Sequence, residues 1–166
     1  MRYRGPLYRA VNPVYAHDPL SGEGARRFGG RFNARGTPAL YTSLSPHVAL
    51  RESSQVGALQ PTVLVGYEAD LEPVFDAAST GALEARGTSA ETLFSPTWRD
   101  ERATGRPARS QAFATGLAED GFVGLLVRSV ARGASPEDLN LVLFRWSDRA
   151  PARLRVVDDE GCPSRD

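Results

Sequence analysis

Three residues in the first third of the chain carry side chains suited to one kind of reaction. Arg31 lies in Gly29-Gly30-Arg31-Phe32-Asn33, Tyr41 in Leu40-Tyr41-Thr42-Ser43 and Glu52 in Ala49-Leu50-Arg51-Glu52. A guanidinium grips phosphate through paired N–H donors. An aromatic ring stacks on a flat heterocycle such as nicotinamide. A carboxylate holds a ribose and stabilises the cation that develops as its glycosidic bond breaks. These are the groups that cleavage of NAD⁺ requires. Each also has a plainer role. Tyr41 by itself reads as a core aromatic, and Arg31 by itself as a surface charge. Glu52 follows Val48 and Ala49 at helical spacing, so it shares a face with apolar side chains. A carboxylate there either pairs with one of the many arginines or stands at the wall of a cleft, and the pattern leaves both open.

The elements that must position these residues can be read from punctuation and periodicity. Residues 12–38 are rich in Gly, Pro, Asn and Asp, so Arg31 falls in a stretch expected to be mostly loop and turn. Long loops of this kind are often functional. Residues 39–43 read as a short strand carrying Tyr41. Ser45 followed by Pro46 is a helix start, and the helix is expected to run to about Val56 with Glu52 on it. Around this unit, strands are expected at 7–11, 61–69, Val74–Asp76, 122–127 and 139–146, with an edge strand at 153–157. Short helices and turns are expected over 79–94, and an irregular polar segment over 95–107. Residues 108–119 place Ala108, Ala112, Phe113, Gly116 and Leu117 on one helical face, and Gly121 is well placed to end that helix. The order is mixed, with more strands than helices. The fold class expected is α+β, a single domain over residues 1–157 with mixed or antiparallel sheet flanked by short helices, followed by a mobile tail at 158–166.

Composition narrows the function classes. The 166 residues are 41% hydrophobic and 24% charged, ordinary values for one globular domain. The chain has no lysine, which excludes a Schiff-base mechanism and a P-loop lysine. Arginine can still bind phosphate bidentately. Zero net charge argues against broad electrostatic binding to nucleic acid. His17, His47 and the distant Cys162 have no zinc spacing, so no metal is expected. There is no Gly-x-Ser-x-Gly elbow, Walker loop or Gly-x-Gly-x-x-Gly, and the Gly22, Gly24, Gly29 and Gly30 cluster is a weak phosphate signal by itself. No apolar run approaches the ~20 residues of a membrane span, and the N-terminus lacks a signal-peptide core. A single cysteine fits a reducing compartment, so a cytoplasmic location without membrane contact is expected.

The order of the motifs resembles the RES domain family, named for its arginine, glutamate and serine. The resemblance rests on Leu7-Tyr8-Arg9, the Gly29–Asn33 block with Gly36, Leu40–Ser43 and Ala49–Glu52. It continues through Trp98-Arg99, the helix around Gln111–Leu117, Gly124–Ser129 and Asn140–Phe144. It implies a toxin of a bacterial toxin–antitoxin pair, with a fold similar to ADP-ribosyltransferases and NAD⁺ as substrate rather than cofactor. By resemblance Arg31, Tyr41 and Glu52 are the catalytic set, and Arg9 and Ser129 join Arg31 and Tyr41 in binding NAD⁺. The products implied are depleted NAD⁺, by hydrolysis or phosphorolysis, or an ADP-ribosylated protein. The partner implied is a protein antitoxin with a helix-turn-helix DNA-binding domain, so that nucleic-acid contact belongs to the antitoxin. A catalytically inactive binding module with the same fold is the alternative.

Overall fold

Strand β1 (Tyr3–Val11) is the spine of the protein. Its alternation sends Leu7 and Val11 into an apolar core on one face of the sheet and leaves Tyr8 on the other. The structure is a computed structural model that describes residues 1–54, 60–79 and 81–161. The strand expected at 7–11 starts earlier, at Tyr3, and takes in Gly5 and Pro6. Pro6 is tolerated because β1 pairs with β3 (Val63–Leu71) along its length but with β2 (Leu40–Ser43) only at Tyr8↔Ser43. The missing N–H therefore falls where the β2 side of the strand is unpaired.

The remaining elements are α1 (Glu23–Phe28), α2 (Pro46–Ser53), β4 (Val74–Asp76), α3 (Ala90–Leu93), α4 (Trp98–Ala103), α5 (Arg109–Glu119), β5 (Gly124–Arg128), β6 (Leu139–Leu143) and β7 (Ala152–Val156). The described strands form one mixed sheet in the order β4-β5-β6-β2-β1-β3-β7. Only the β4–β5 pair is parallel. β7 is the expected edge strand. The α+β, single-domain expectation holds, with one curled sheet rather than several.

Both faces of the central strands are buried, which is why their sequences are apolar runs and not alternations. Leu126, Leu141 and Leu143 join the core beneath β1. Leu125, Val127 and Val142 join a second core, with Phe32, Ala114 and Leu117, under α5. The site grows from this second face.

Several expected elements differ in detail. The loop 12–38 contains a 3-10 turn at Pro13–Tyr15 and the short α1. The segment 95–107 is not irregular throughout: it folds into α4 around the buried Trp98, which gives the turn an apolar anchor. The strand from 139 stops at Leu143, and Trp146 turns away to donate its indole N–H to the Leu20 carbonyl at 2.9 Å. Gly121, at φ +91°, does follow the end of α5. The inner face of α5 is shifted, however. Ser110, Gln111, Ala114 and Leu117 are buried, and Ala112 is exposed. Polar residues are inside here because they bond to the loop that carries Arg31. Ser45 has the extended N-cap backbone, but its hydroxyl makes no capping bond, and Pro46 opens the helix. The expected end of α2 at Val56, Thr80, and the last part of the tail with Cys162 lie outside the described residues.

Candidate active site

Strand register assembles the floor of the site. Tyr8, Ser43, Asn140 and Val127 are successive cross-strand partners on β1, β2, β6 and β5, so they form one row on one face. Tyr41 and Val142 form the next row. Asn140, in the first of these rows, is the polar break in the apolar sequence of β6. Its Oδ1 accepts from Ser43 Oγ at 2.7 Å, and its Nδ2 donates to Glu52 Oε1 at 2.5 Å. Ser129 follows β5 by one residue and donates from Oγ to the same Glu52 oxygen at 2.6 Å. The carboxylate on α2 is thus anchored by a hydroxyl and an amide from two strands.

The helix carrying Glu52 is itself tied to the segment carrying Ser129. Arg51 Nη1 donates to Asp138 Oδ2, and His47 Nε2 lies 3.4 Å from Asp138 Oδ1. Asp138 also accepts the Ser135 N–H at 2.9 Å, and its carbonyl accepts the Ser129 N–H at 2.7 Å. The Ser135 N–H first, with help from Arg51 and His47, holds the Asp138 carboxyl below its ordinary pKa against the effect of burial. Of the adjacent pair Arg51-Glu52, the arginine therefore latches the helix and the glutamate faces the cavity.

Arg31 is positioned from the opposite wall. The Gly30–Asn33 bridge makes a tight loop. Gly30 is required there, since a Cβ would overlap the Tyr41 hydroxyl and reach within 2.8 Å of Asn33 Oδ1. Ser110 Oγ donates to the Arg31 carbonyl at 2.7 Å, and Gln111 Nε2 donates to the carbonyls of Gly30 and Asn33 at 2.8 and 3.0 Å. The Arg31 guanidinium donates to the Ser95 carbonyl at 2.8 Å and lies 5.7 Å from the centre of the Trp98 ring. Burial first, and then the charge of Arg99, hold its pKa below the ordinary arginine value; Glu52 opposes this. Its basicity still leaves it cationic at neutral pH.

The Tyr41 hydroxyl is fully engaged within the protein. It accepts the Phe32 N–H at 3.1 Å and donates to Asn33 Oδ1 at 2.8 Å. Only its ring is left to face the cavity. Burial pushes its pKa up to about 12. An unfolded tyrosine ionises near about 10, so this group favours the folded state below that pH, and its contribution is lost as pH rises towards about 12. In an alkaline titration followed by tyrosinate absorbance, Tyr41→Phe should remove a late-ionising tyrosine and leave the early ones unchanged. Loss of an early one instead would mean that the hydroxyl is open to solvent.

Arg31, Tyr41, Glu52 and Arg9 line one cavity of about 350 Å³, together with Arg99, Arg128, Trp98 and Asn140. That volume is in the range of small-molecule sites. Arg9 stands at its rim, with Nη1 held by the carbonyls of Pro19 and Ser21 at 3.3 and 3.1 Å. Ser129 reaches the site through Glu52. Asn140, Trp98 and Arg99 are contributors that the candidate set omitted. The signal for Asn140 was a lone amide inside the apolar run Leu139–Phe144. Trp98-Arg99 belongs to the stretch that resembles the family, but the polar pattern of 95–107 gave no sign of the ring that Trp98 presents. Among the described residues, no group of three or more His, Cys, Asp or Glu side chains could hold a metal ion. No described helix is long and apolar enough to cross a membrane.

The fold recurs in a solved structure. A chain in the crystal structure of the M. tuberculosis MbcT–MbcA toxin–antitoxin complex aligns with a TM-score of 0.69 at 23% identity, covering 95% of this chain and 84% of that one. No curated protein matches the sequence. The RES domain family model matches residues 6–166, nearly the whole chain and all of the site described above, and the protein therefore belongs to the RES domain family.

Proposed function

We infer that this protein breaks the nicotinamide–ribose bond of NAD⁺ and serves as the toxin of a toxin–antitoxin pair. The observation that carries the chemistry is the carboxylate of Glu52, anchored by Ser129 and Asn140 in a cavity whose other charged lining side chains are arginines. Arg31 and Arg9 bind the diphosphate. The Tyr41 ring, its hydroxyl already engaged, packs against nicotinamide. Glu52 hydrogen-bonds the nicotinamide ribose and faces the anomeric carbon. When the C1′–N bond breaks, its electron pair goes to the ring nitrogen and nicotinamide leaves as a neutral molecule. The positive charge passes to the ribose, where Glu52 stabilises it. In hydrolysis, a water oxygen then bonds to C1′ and a proton is released. Phosphate or a protein side chain are the other acceptors. No metal is called for, because the leaving group departs neutral from an already cationic ring. The toxin assignment rests on family membership and on a fold shared with a chain of a toxin–antitoxin complex. A cytoplasmic enzyme of this kind must be restrained by its own cell. A protein antitoxin with a helix-turn-helix domain, covering the cleft, is the partner this reading requires.

The test uses purified protein and labelled NAD⁺, with and without phosphate and cell lysate. Free ADP-ribose, ADP-ribose-1″-phosphate or labelled protein identifies the acceptor, and each supports the reading. NAD⁺ left intact under all conditions by folded protein would refute it and favour a binding module. In cells, expression without an antitoxin should arrest growth as NAD⁺ falls. Arrest with NAD⁺ unchanged would point to modification of a target protein instead.

A further inference from the structure

We propose that Arg99, which packs on the Trp98 ring and lines the same cavity as Arg31, joins Arg31 in a clamp that adds to the Arg9 contact and selects a diphosphate over a single phosphate. The inference deepens the NAD⁺ reading and rests on it for the identity of the substrate. Its physical basis is the ring of Trp98, which is only 8% exposed and forms a fixed wall. The Arg99 guanidinium lies 4.4 Å from the ring centre and that of Arg31 lies 5.7 Å from it. Both arginines line the cavity. Arg102 also approaches the ring, at 5.8 Å, but it lines a different hollow. Of the three cations around Trp98, Arg31 and Arg99 are the two that line the site.

Two like charges on one ring repel, and burial of Arg31 raises that cost. Arg31 donates to a neutral carbonyl, that of Ser95. The described ion pairs use Arg26, Arg51, Arg86 and Arg109, among others, but neither Arg31 nor Arg99. A bound anion removes the repulsion. A guanidinium is a planar fork that meets two oxygens of one phosphoryl group, so two forks lining one cavity match two linked phosphoryl groups. A single phosphoryl group can satisfy one fork well and the other poorly. Stacking on Trp98 also limits the freedom that the exposed Arg99 would lose on binding.

The experiment measures binding of ADP, inorganic pyrophosphate and AMP by calorimetry, and steady-state cleavage of NAD⁺ and of nicotinamide mononucleotide. Arg99→Gln and Arg99→Lys are compared with the unaltered protein. Arg99 is exposed, so both variants should keep the melting temperature. Arg99→Gln should weaken ADP and pyrophosphate about 10–100-fold, the loss of one charge-assisted contact, with AMP changed several-fold less. KM for NAD⁺ should rise by a similar factor with kcat nearly constant, and KM for the mononucleotide should move little. Arg99→Lys, which keeps the charge but not the fork, should fall between the two. Equal losses for ADP and AMP, full recovery with lysine, or an unaltered protein that binds neither ADP nor pyrophosphate would each overturn the clamp. An unchanged KM for NAD⁺ in Arg99→Gln would overturn it while leaving NAD⁺ cleavage intact. Diphosphate selection without any NAD⁺ cleavage would keep the clamp and remove the proposed reaction.

Discussion

Glu52→Gln should keep the fold and lose roughly 10²–10³ in turnover, about 3–4 kcal/mol of transition-state stabilisation. Both described donors to Glu52 Oε1, the Ser129 hydroxyl and the Asn140 amide, can donate equally to the carbonyl oxygen of glutamine. Glutamine is also a good helix former, so α2 should persist. The change removes the negative charge that faces a developing cation. If Glu52 instead served a buried ion pair, the same substitution would leave a charge unmatched and destabilise the protein by roughly 3–5 kcal/mol. Turnover of NAD⁺ and melting temperature, measured on one sample, separate the two. Near-zero turnover at an unchanged melting temperature supports catalysis. A large fall in melting temperature supports the structural role. Full turnover in a well-folded variant would remove Glu52 from the mechanism.

The two roles left open for Glu52 illustrate what the sequence could and could not say. Helical spacing placed Glu52 on a face with Val48 and Ala49, but spacing cannot tell an anchored carboxylate from a latched one. The distinction depends on strand order. Asn140 and Ser129 reach Glu52 because β5 and β6 are neighbours and β6 pairs with β2. These are contacts over 88 and 77 residues of chain. The strands themselves were legible, since Leu139–Leu143 and Gly124–Val127 are apolar runs buried on both faces. Elements anchored by one large residue were not. α4 has no repeating apolar pattern, and Trp98 alone gives it a core contact. The helix at 109–119 was legible as a helix but not in its facing, because an apolar template cannot anticipate a buried glutamine. Family resemblance supplied the candidate catalytic set, and geometry adds which of its atoms are already engaged.

That buried glutamine has the largest expected effect on stability. Gln111 is 1% exposed, and its amide closes three contacts. Oε1 accepts the Ala108 N–H at 3.1 Å, which caps the start of α5. Nε2 donates to the Gly30 carbonyl and to the Asn33 carbonyl. Asn33 O has a second donor in the Gly30 N–H, so it is not stranded when Gln111 is lost. The Ala108 N–H and the Gly30 carbonyl have no such reserve among the described contacts. Gln111→Met fills similar space without polar atoms and leaves both groups unsatisfied. At about 1–3 kcal/mol for each, the variant should lose roughly 2–6 kcal/mol of stability. For a chain of this size that lowers the melting temperature by roughly 4–24 °C. The consequence reaches the site, because Gly30 and Asn33 bracket Arg31. Below its melting transition, the Met variant should bind ADP more weakly, since the Arg31 loop keeps its Ser110 contact but loses the Gln111 bonds on either side of it. Thermal melts and calorimetry on the same preparation test both parts. An unchanged melting temperature would show that the loop holds its shape without the amide. A destabilised variant that binds ADP normally would show that Gln111 supports the fold but does not set the position of Arg31.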